Sequence, residues 1–336
     1  MFQTKFYVGI LAVSVMTVIL ITAASGEKAV TTPDTLKVGM IAPDFTLKDE
    51  AGTERSLSDY LGKKNIILAF YPKDFTGGWT AELCSLRDNL SEIEATESVL
   101  FGVSVDDVKS HKRFRAEQKF GFSLLADTEF EVSKQYSGVM ERFNASKRTT
   151  FIIDKAGYIR AIDTEVNVKT HGEDVAVLLK KVLPKIEVGQ PAPDFIAADS
   201  TGKSYQLSEL IEKKNAVLSF YPRDFGRGWT AQVCSLRDES SHLAKYDAQI
   251  FGITHNDADS RQKFSEENQL NFPLLVDVGR NLALLYGATD APDGKIQRMA
   301  IIIDKTGKIV EIDKAVNAST HGTDLVNFFK TLETSN

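Results

Sequence analysis

From Val38 to its end this chain is one domain written twice in register, without a gap. FYPKDFTGGWTAELCSLRD, Phe70 to Asp88, answers FYPRDFGRGWTAQVCSLRD, Phe220 to Asp238. VGMIAPDFTL likewise answers VGQPAPDFIA, IIDKAG answers IIDKTG, and VNVKTHGED answers VNASTHGTD. Roughly two in five aligned positions are identical, which marks internal duplication rather than shared composition. A period this long is a domain, not a solenoid unit. The expected division is residues 37–186 and 187–336, with the boundary between Pro184 and Glu187. Two like domains in one chain also raise the expectation of an intramolecular pseudo-dimer.

The segment before the duplication has a different character. Lys5 is followed by an apolar run, Phe6 to Ala24, and by the small residues Ala23 to Gly26. This pattern predicts a signal peptide over residues 1–26, or an uncleaved N-terminal membrane anchor, with 27–36 as a polar linker. The protein is therefore expected to be exported, periplasmic or secreted, or tethered by residues 6–24, with no other membrane contact. A net charge of −6 without a basic run argues against nucleic acid as a partner. Cys84 and Cys234 are the only cysteines, there is no CxxC or HExxH, and the five histidines are scattered. No metal site and no cofactor are expected.

Within one copy the order of elements is legible. Ile66 to Tyr71 is a short apolar run bounded by turn residues, hence a buried strand. Trp79 to Thr96 has helical spacing, with Leu83, Leu86, Leu90 and Ile93 on one face. Val99 to Val105 predicts a second strand, and Asp107 to Lys119 a second helix capped by Asp106 or Asp107. Phe151–Asp154 and Tyr158–Asp163 flank a Lys-Ala-Gly turn as a hairpin. Asp174 to Val182 closes the copy as a helix. This order predicts an α/β domain with a mixed central sheet flanked by helices, repeated in tandem.

The motifs carry a resemblance. VG-x-x-APDF (Val38 to Phe45), FYPKDFT-x-G-x-T (Phe70 to Thr80), Cys84-Ser85-Leu86-Arg87-Asp88, Arg148 before FIID and the late His171 all recur in the second copy in the same order, save that Gly226 ends the FYPRDF stretch where Thr76 stands. Together they resemble the thioredoxin fold as used by peroxiredoxins of the AhpC/TSA family, bacterioferritin comigratory protein type. The resemblance implies thiol-dependent peroxide reduction with a thioredoxin-like reductant as partner. It places Pro72 and Thr76 on the Pro and Thr of the peroxide motif, Arg148 on the Arg near the thiolate, and Cys84 on the resolving cysteine. Trp79 then stands where the peroxidatic cysteine belongs. In the second copy the corresponding residues are Pro222, Gly226, Trp229, Arg298 and Cys234, and Gly226 lacks the hydroxyl that would bond the peroxide.

The chemistry of that exchange is severe. A thiol with pKa about 8.5 is activated by a helix N-terminus and a nearby Arg. An indole has no ionisable group in the working pH range and only an N–H donor. Three readings follow: a non-catalytic double domain with a binding or scaffold role, surviving thiol chemistry at Cys84 and Cys234, or a pocket in which each Trp and its Arg hold a small anion or an aromatic ligand. Five residues separate Cys84 from Trp79, about 140° around a helix, so Cys84 is expected to face elsewhere. Arg148 and Arg298 are expected either to pair with an acid or to stack on the neighbouring Trp. His171 and His321 are read as helix caps.

Overall fold

The computed structural model describes residues 36–334. The first copy runs β1 (Thr46–Asp49), β2 (Glu54–Ser56), β3 (Asn65–Phe70), α1 (Gly77–Asp88), α2 (Leu90–Glu94), β4 (Ser98–Ser104), α3 (Val108–Gln118) and β5 (Ser123–Ala126). It continues with α4 (Glu131–Gln135), β6 (Val139–Met140), β7 (Ala145–Ser146), β8 (Thr149–Ile153), β9 (Ile159–Asp163) and α5 (His171–Val182). The second copy runs β10 (Ile196–Ala198), β11 (Ser204–Gln206), β12 (Asn215–Phe220), α6 (Arg227–Asp238), α7 (Ser240–Leu243) and β13 (Ala248–Thr254). It ends with α8 (Ala258–Glu267), β14 (Leu274–Val276), α9 (Asn281–Leu285), β15 (Met299–Ile303), β16 (Ile309–Asp313) and α10 (His321–Thr334). The first 35 residues, and with them the expected signal or anchor, lie outside the described residues, as does part of the linker. Among the described residues no helix is long and apolar enough to cross a membrane.

Each copy is built on a mixed sheet. In the first the order is β2-β1-β5-β4-β3-β8-β9, with β3, β4 and β5 parallel and β8 and β9 antiparallel. The β3 sequence NIILAF is buried along its whole length because both faces of the sheet are covered. Ile67, Ala69 and Tyr71 face a core shared with Leu83 and Leu86 of α1 and Val175 and Leu179 of α5. Ile66, Leu68 and Phe70 face the opposite core, with Val132, Tyr136 and Phe151. The second copy repeats the arrangement as β14-β13-β12-β15-β16. Its β10–β11 hairpin is joined to that sheet only by the bridge Asp199–Leu275, and Ile196 N donates instead to Gly39 O of the first copy at 2.7 Å.

The helix predicted from Trp79 to Thr96 is two helices, broken at Asn89. The cause is the start of α5, which presses on that point: Gly172 N donates to Ser85 Oγ at 3.0 Å, and Asn89 Nδ2 turns back to Ser85 O. A Cβ on Gly172 would lie 2.0 Å from Ser85 O, so only glycine permits the approach. Gly322 stands in the same relation to Ser235 O, at 2.2 Å. Asp107 does cap α3, accepting from Ser110 N at 2.8 Å.

The two copies pack on one another through surfaces that do not correspond, so the contact is not the two-fold of a pseudo-dimer. Ala156 and Tyr158, at the β8–β9 turn of the first copy, are buried in the hydrophobic core of the second among Leu282, Leu285 and Tyr286. Asn281 Nδ2 donates to Ala156 O, and Arg160 Nη1 donates to Asp194 O. The corresponding turn of the second copy, Thr306 and Lys308, is exposed to solvent. Gly189, the counterpart of Gly39, has nothing near the position of a Cβ. The arrangement is head-to-tail. Burying Tyr158 removes a large aromatic side chain from water, so Tyr158→Ala is expected to destabilise the protein by about 3–5 kcal/mol. Lys308→Ala, at the equivalent exposed position, is expected to change stability by less than about 0.5 kcal/mol. Urea unfolding of the two variants side by side checks both; equal effects would contradict the head-to-tail contact.

Candidate functional site

The site of each copy forms where the central strand feeds a helix. Pro72 is buried just after β3, and the chain turns through Phe75 at φ 57° before entering α1. Thr76 is the N-cap residue, but its hydroxyl donates to Lys73 O at 3.0 Å rather than to the helix. Trp79 follows on the first turn, half-buried against the core. Arg148, just ahead of β8, lays its guanidinium over the indole at 4.2 Å from the ring centroid. Such a contact is worth about 0.5–2 kcal/mol, more as it is desolvated. Arg298 covers Trp229 in the same way at 4.4 Å. Pro222 and Gly226 occupy the places of Pro72 and Thr76 at the start of α6.

Gly226 has a steric role that the sequence did not disclose. A Cβ built there would lie 2.2 Å from Trp229 Cδ1 and 2.6 Å from Nε1. The indole of the second copy thus occupies the space that a threonine side chain would need. Gly226→Thr is therefore expected to displace Trp229, read as a shift of its fluorescence emission in a Trp79→Phe background.

Behind the indole, the two copies differ. Glu82 sits one turn along α1 from Trp79, wholly buried, with Oε2 2.9 Å from Arg148 Nε. The two atoms are a close charge pair whose alignment falls short of a hydrogen bond. Arg148 thus does both of the things expected of it, pairing with an acid and stacking on a Trp. Burial pushes the Glu82 carboxyl up to about 7, with Arg148 pulling the other way and Asp163 adding to the rise. His171 is not a cap: it is the first residue of α5, fully buried, with Nε2 2.9 Å from Thr150 Oγ1 and Nδ1 3.5 Å from Glu82 Oε1. Burial holds its pKa down at about 4. In the second copy Gln232 replaces Glu82 and Ala300 replaces Thr150. Gln232 Nε2 donates to Ser219 Oγ at 2.9 Å, and both ring nitrogens of the buried His321 are left without a partner. Burial holds His321 at about 4 as well.

Glu82 and Gln232 escaped the sequence reading. The signal was present: both lie three residues after the Trp, on its side of the helix, as polar positions next to Leu83 and Val233. The cysteines stand apart from this cluster, as the helical rotation predicted. Cys84 is half-buried at the edge of the core, with Sγ 3.8 Å from Gln118 Oε1, and Cys234 lies 3.7 Å from Asn268 Oδ1. Both are free thiols, not joined to each other. No cluster of metal-ligating side chains occurs among the described residues.

Parallel strands β3, β4 and β5, an antiparallel hairpin, helices on both faces and a Pro-led loop into a helix define a thioredoxin-fold domain of the peroxiredoxin kind, here in tandem. The chain belongs to the AhpC/TSA family, which it matches twice, over residues 38–162 and 188–312. It is 41% identical over 147 residues to a putative peroxiredoxin bcp of Coxiella burnetii, covering 42% of this chain and 96% of that one. It is 36% identical over 157 residues to peroxiredoxin Bcp of Bacillus subtilis, covering 45% of this chain and 99% of the relative. Among solved structures, peroxidoxin BcpB from Mycobacterium tuberculosis matches at 30% identity and a TM-score of 0.42, over 44% of this chain and 99% of its own. Each relative thus corresponds to a single copy.

The groups behind the two indoles respond differently to acid. A neutral buried His with a depressed pKa resists a proton that the unfolded chain accepts, so its contribution to stability is lost as pH falls from about 6.5 to about 4. Glu82 runs the other way: its raised pKa lets the folded state hold a proton the unfolded chain has released, so stability falls as pH rises from about 4.5 to about 7. Behind the first indole the two trends oppose each other, whereas Gln232, which stands in the place of Glu82, does not titrate. His321→Gln is expected to flatten the acid limb of the stability–pH profile by about 3 kcal/mol. Urea unfolding at a series of pH values measures it, and an unchanged slope contradicts the assignment.

Proposed function

We propose that this tandem peroxiredoxin-family protein no longer reduces peroxides by the family's route and instead uses the two capped Trp positions for binding. One observation carries the reading: at both helix starts, at the position the family resemblance gives to the nucleophile, an indole stands with a guanidinium lying on its face. The Arg that would polarise a peroxide is engaged with a ring, and Trp79 and Trp229 supply no thiolate. The expected result is that wild-type protein does not consume hydrogen peroxide above background in the presence of a thioredoxin system. Trp79→Cys, which restores a thiol at the start of α1, is expected to gain turnover. Turnover by the wild type that is lost in Cys84→Ser would overturn the proposal.

That last outcome is the second reading, in which Cys84 and Cys234 attack the peroxide, become sulfenic acids with release of alcohol or water, and are returned to thiols by a thioredoxin-like partner. It is favoured by the retention of both cysteines in matched settings, each beside a side-chain amide from the same helix end. We also propose that the apolar run at residues 6–24 exports or tethers the chain. Cell fractionation of wild type and of a variant lacking residues 1–26 tests this, with the full chain expected outside the cytoplasm or in the membrane fraction.

A further inference from the structure

The two Trp–Arg pairs are almost superposable in design, yet their charge is not balanced alike. In the first copy the Arg148 guanidinium has a carboxylate against it, Glu82 Oε2 at 2.9 Å. In the second the same position is Gln232, and Arg298 has no ion pair among the described residues. Arg298 instead donates from Nη2 to Gly228 O at 3.3 Å, on the first turn of α6, and its buried Nε has no hydrogen-bond partner. An uncompensated cation thus stands beside a twelve-residue helix whose N-terminal N–H groups carry partial positive charge. Behind the indole, two further groups are more than nine-tenths buried and short of partners: His321 at both ring nitrogens and Gln232 at Oε1. Of these unpartnered groups the Arg298 Nε–H and one imidazole N–H are donors, and a buried donor without a partner costs about 1–3 kcal/mol, so these two favour an occupant that can accept hydrogen bonds, whereas Gln232 Oε1 is itself an acceptor.

We propose that the second copy binds a small oxyanion through Arg298 at the start of α6, and that the first copy does so through Arg148 only when Glu82 is protonated. The inference rests on the reading of these positions as binding rather than peroxide sites. The oxyanion is a singly or doubly charged species such as a carboxylate or sulfate, recognised by the guanidinium edge and helix N–H groups. Protonating Glu82 removes the anion that neutralises Arg148, leaving the first copy in the charge state that Gln232 makes permanent in the second. The groups facing Glu82 are Arg148, Asp163 of β9, and His171 with Asp174 beyond it on α5. Those facing the second site are Arg298, His321, and Asp313 and Asp324 around the imidazole.

Sulfate titrated against full-length protein at fixed ionic strength tests this, with chloride as the control salt. Trp79→Phe leaves Trp229 as the sole indole reporter, and Trp229→Phe leaves Trp79. At Trp229 the sulfate midpoint is expected to be the same within about twofold at about pH 5.5 and about pH 8.5. At Trp79 it is expected to weaken at least about tenfold over the same range, because Glu82 titrates near 7. Glu82→Gln is expected to abolish the pH dependence at Trp79, and Gln232→Glu to install it at Trp229. Gln232→Glu imitates a residue the first copy already accommodates, so it guards against loss of fold. Equal pH responses at the two reporters, or no sulfate response at Trp229, would overturn the inference. If the wild type reduces peroxide while these titrations behave as expected, only the reading in the preceding subsection fails; if it stays inert and the titrations are flat, only this one does.

Discussion

The site of each copy depends on one close approach, that of the closing helix to the helix that carries the Trp. Gly172 lets α5 come so near α1 that no side chain fits between its backbone and Ser85 O, and Gly322 does the same for α10 and α6. That approach ends α1 at Asn89 and seats His171 directly behind Glu82. The buried carboxylate is then hemmed in by an imidazole, a guanidinium and the core. Its raised pKa is a consequence of this packing more than of any single neighbour, since burial outweighs the attraction of Arg148.

Much of this could be read in the residues, and what could not has a physical reason. The strands announced themselves because their apolar runs are short, rich in branched residues and closed by turn residues, as in NIILAF. Trp79, Arg148 and the free cysteines fell where the repeat and the helical period put them. The break at Asn89 did not, because Leu90 and Ile93 continue the apolar face of α1, and the interruption comes from a helix whose contact with Ser85 spans 87 residues of chain. Glu82 was hidden for a related reason. A lone glutamate on a helix usually faces solvent, and only the fold shows that this one points inward to meet an Arg from a loop before β8. The steric match of Gly226 to Trp229 was equally non-local in character, since it concerns the direction an indole takes rather than the order of residues.

Duplication supplied two versions of one frame, and among the many positions that differ a few fall at contacts that shape the site and the packing of the copies. Glu82 against Gln232 and Thr150 against Ala300 rewire the polar cluster behind the indole, while α1 and α6 keep the same length. Tyr158 against Lys308 and Ala156 against Thr306 decide which β-hairpin turn is covered and which faces water.

The seating of Tyr158 in the neighbouring core bears on how such a chain can evolve. Once the first copy's hairpin turn became part of the second copy's interior, the halves ceased to be interchangeable modules. A second copy released on its own would expose the ring of apolar side chains that Tyr158 and Ala156 now cover, and the first would carry an aromatic knob into water. The duplication has thereby become a one-way step: each half is free to alter its site, while neither is free to leave.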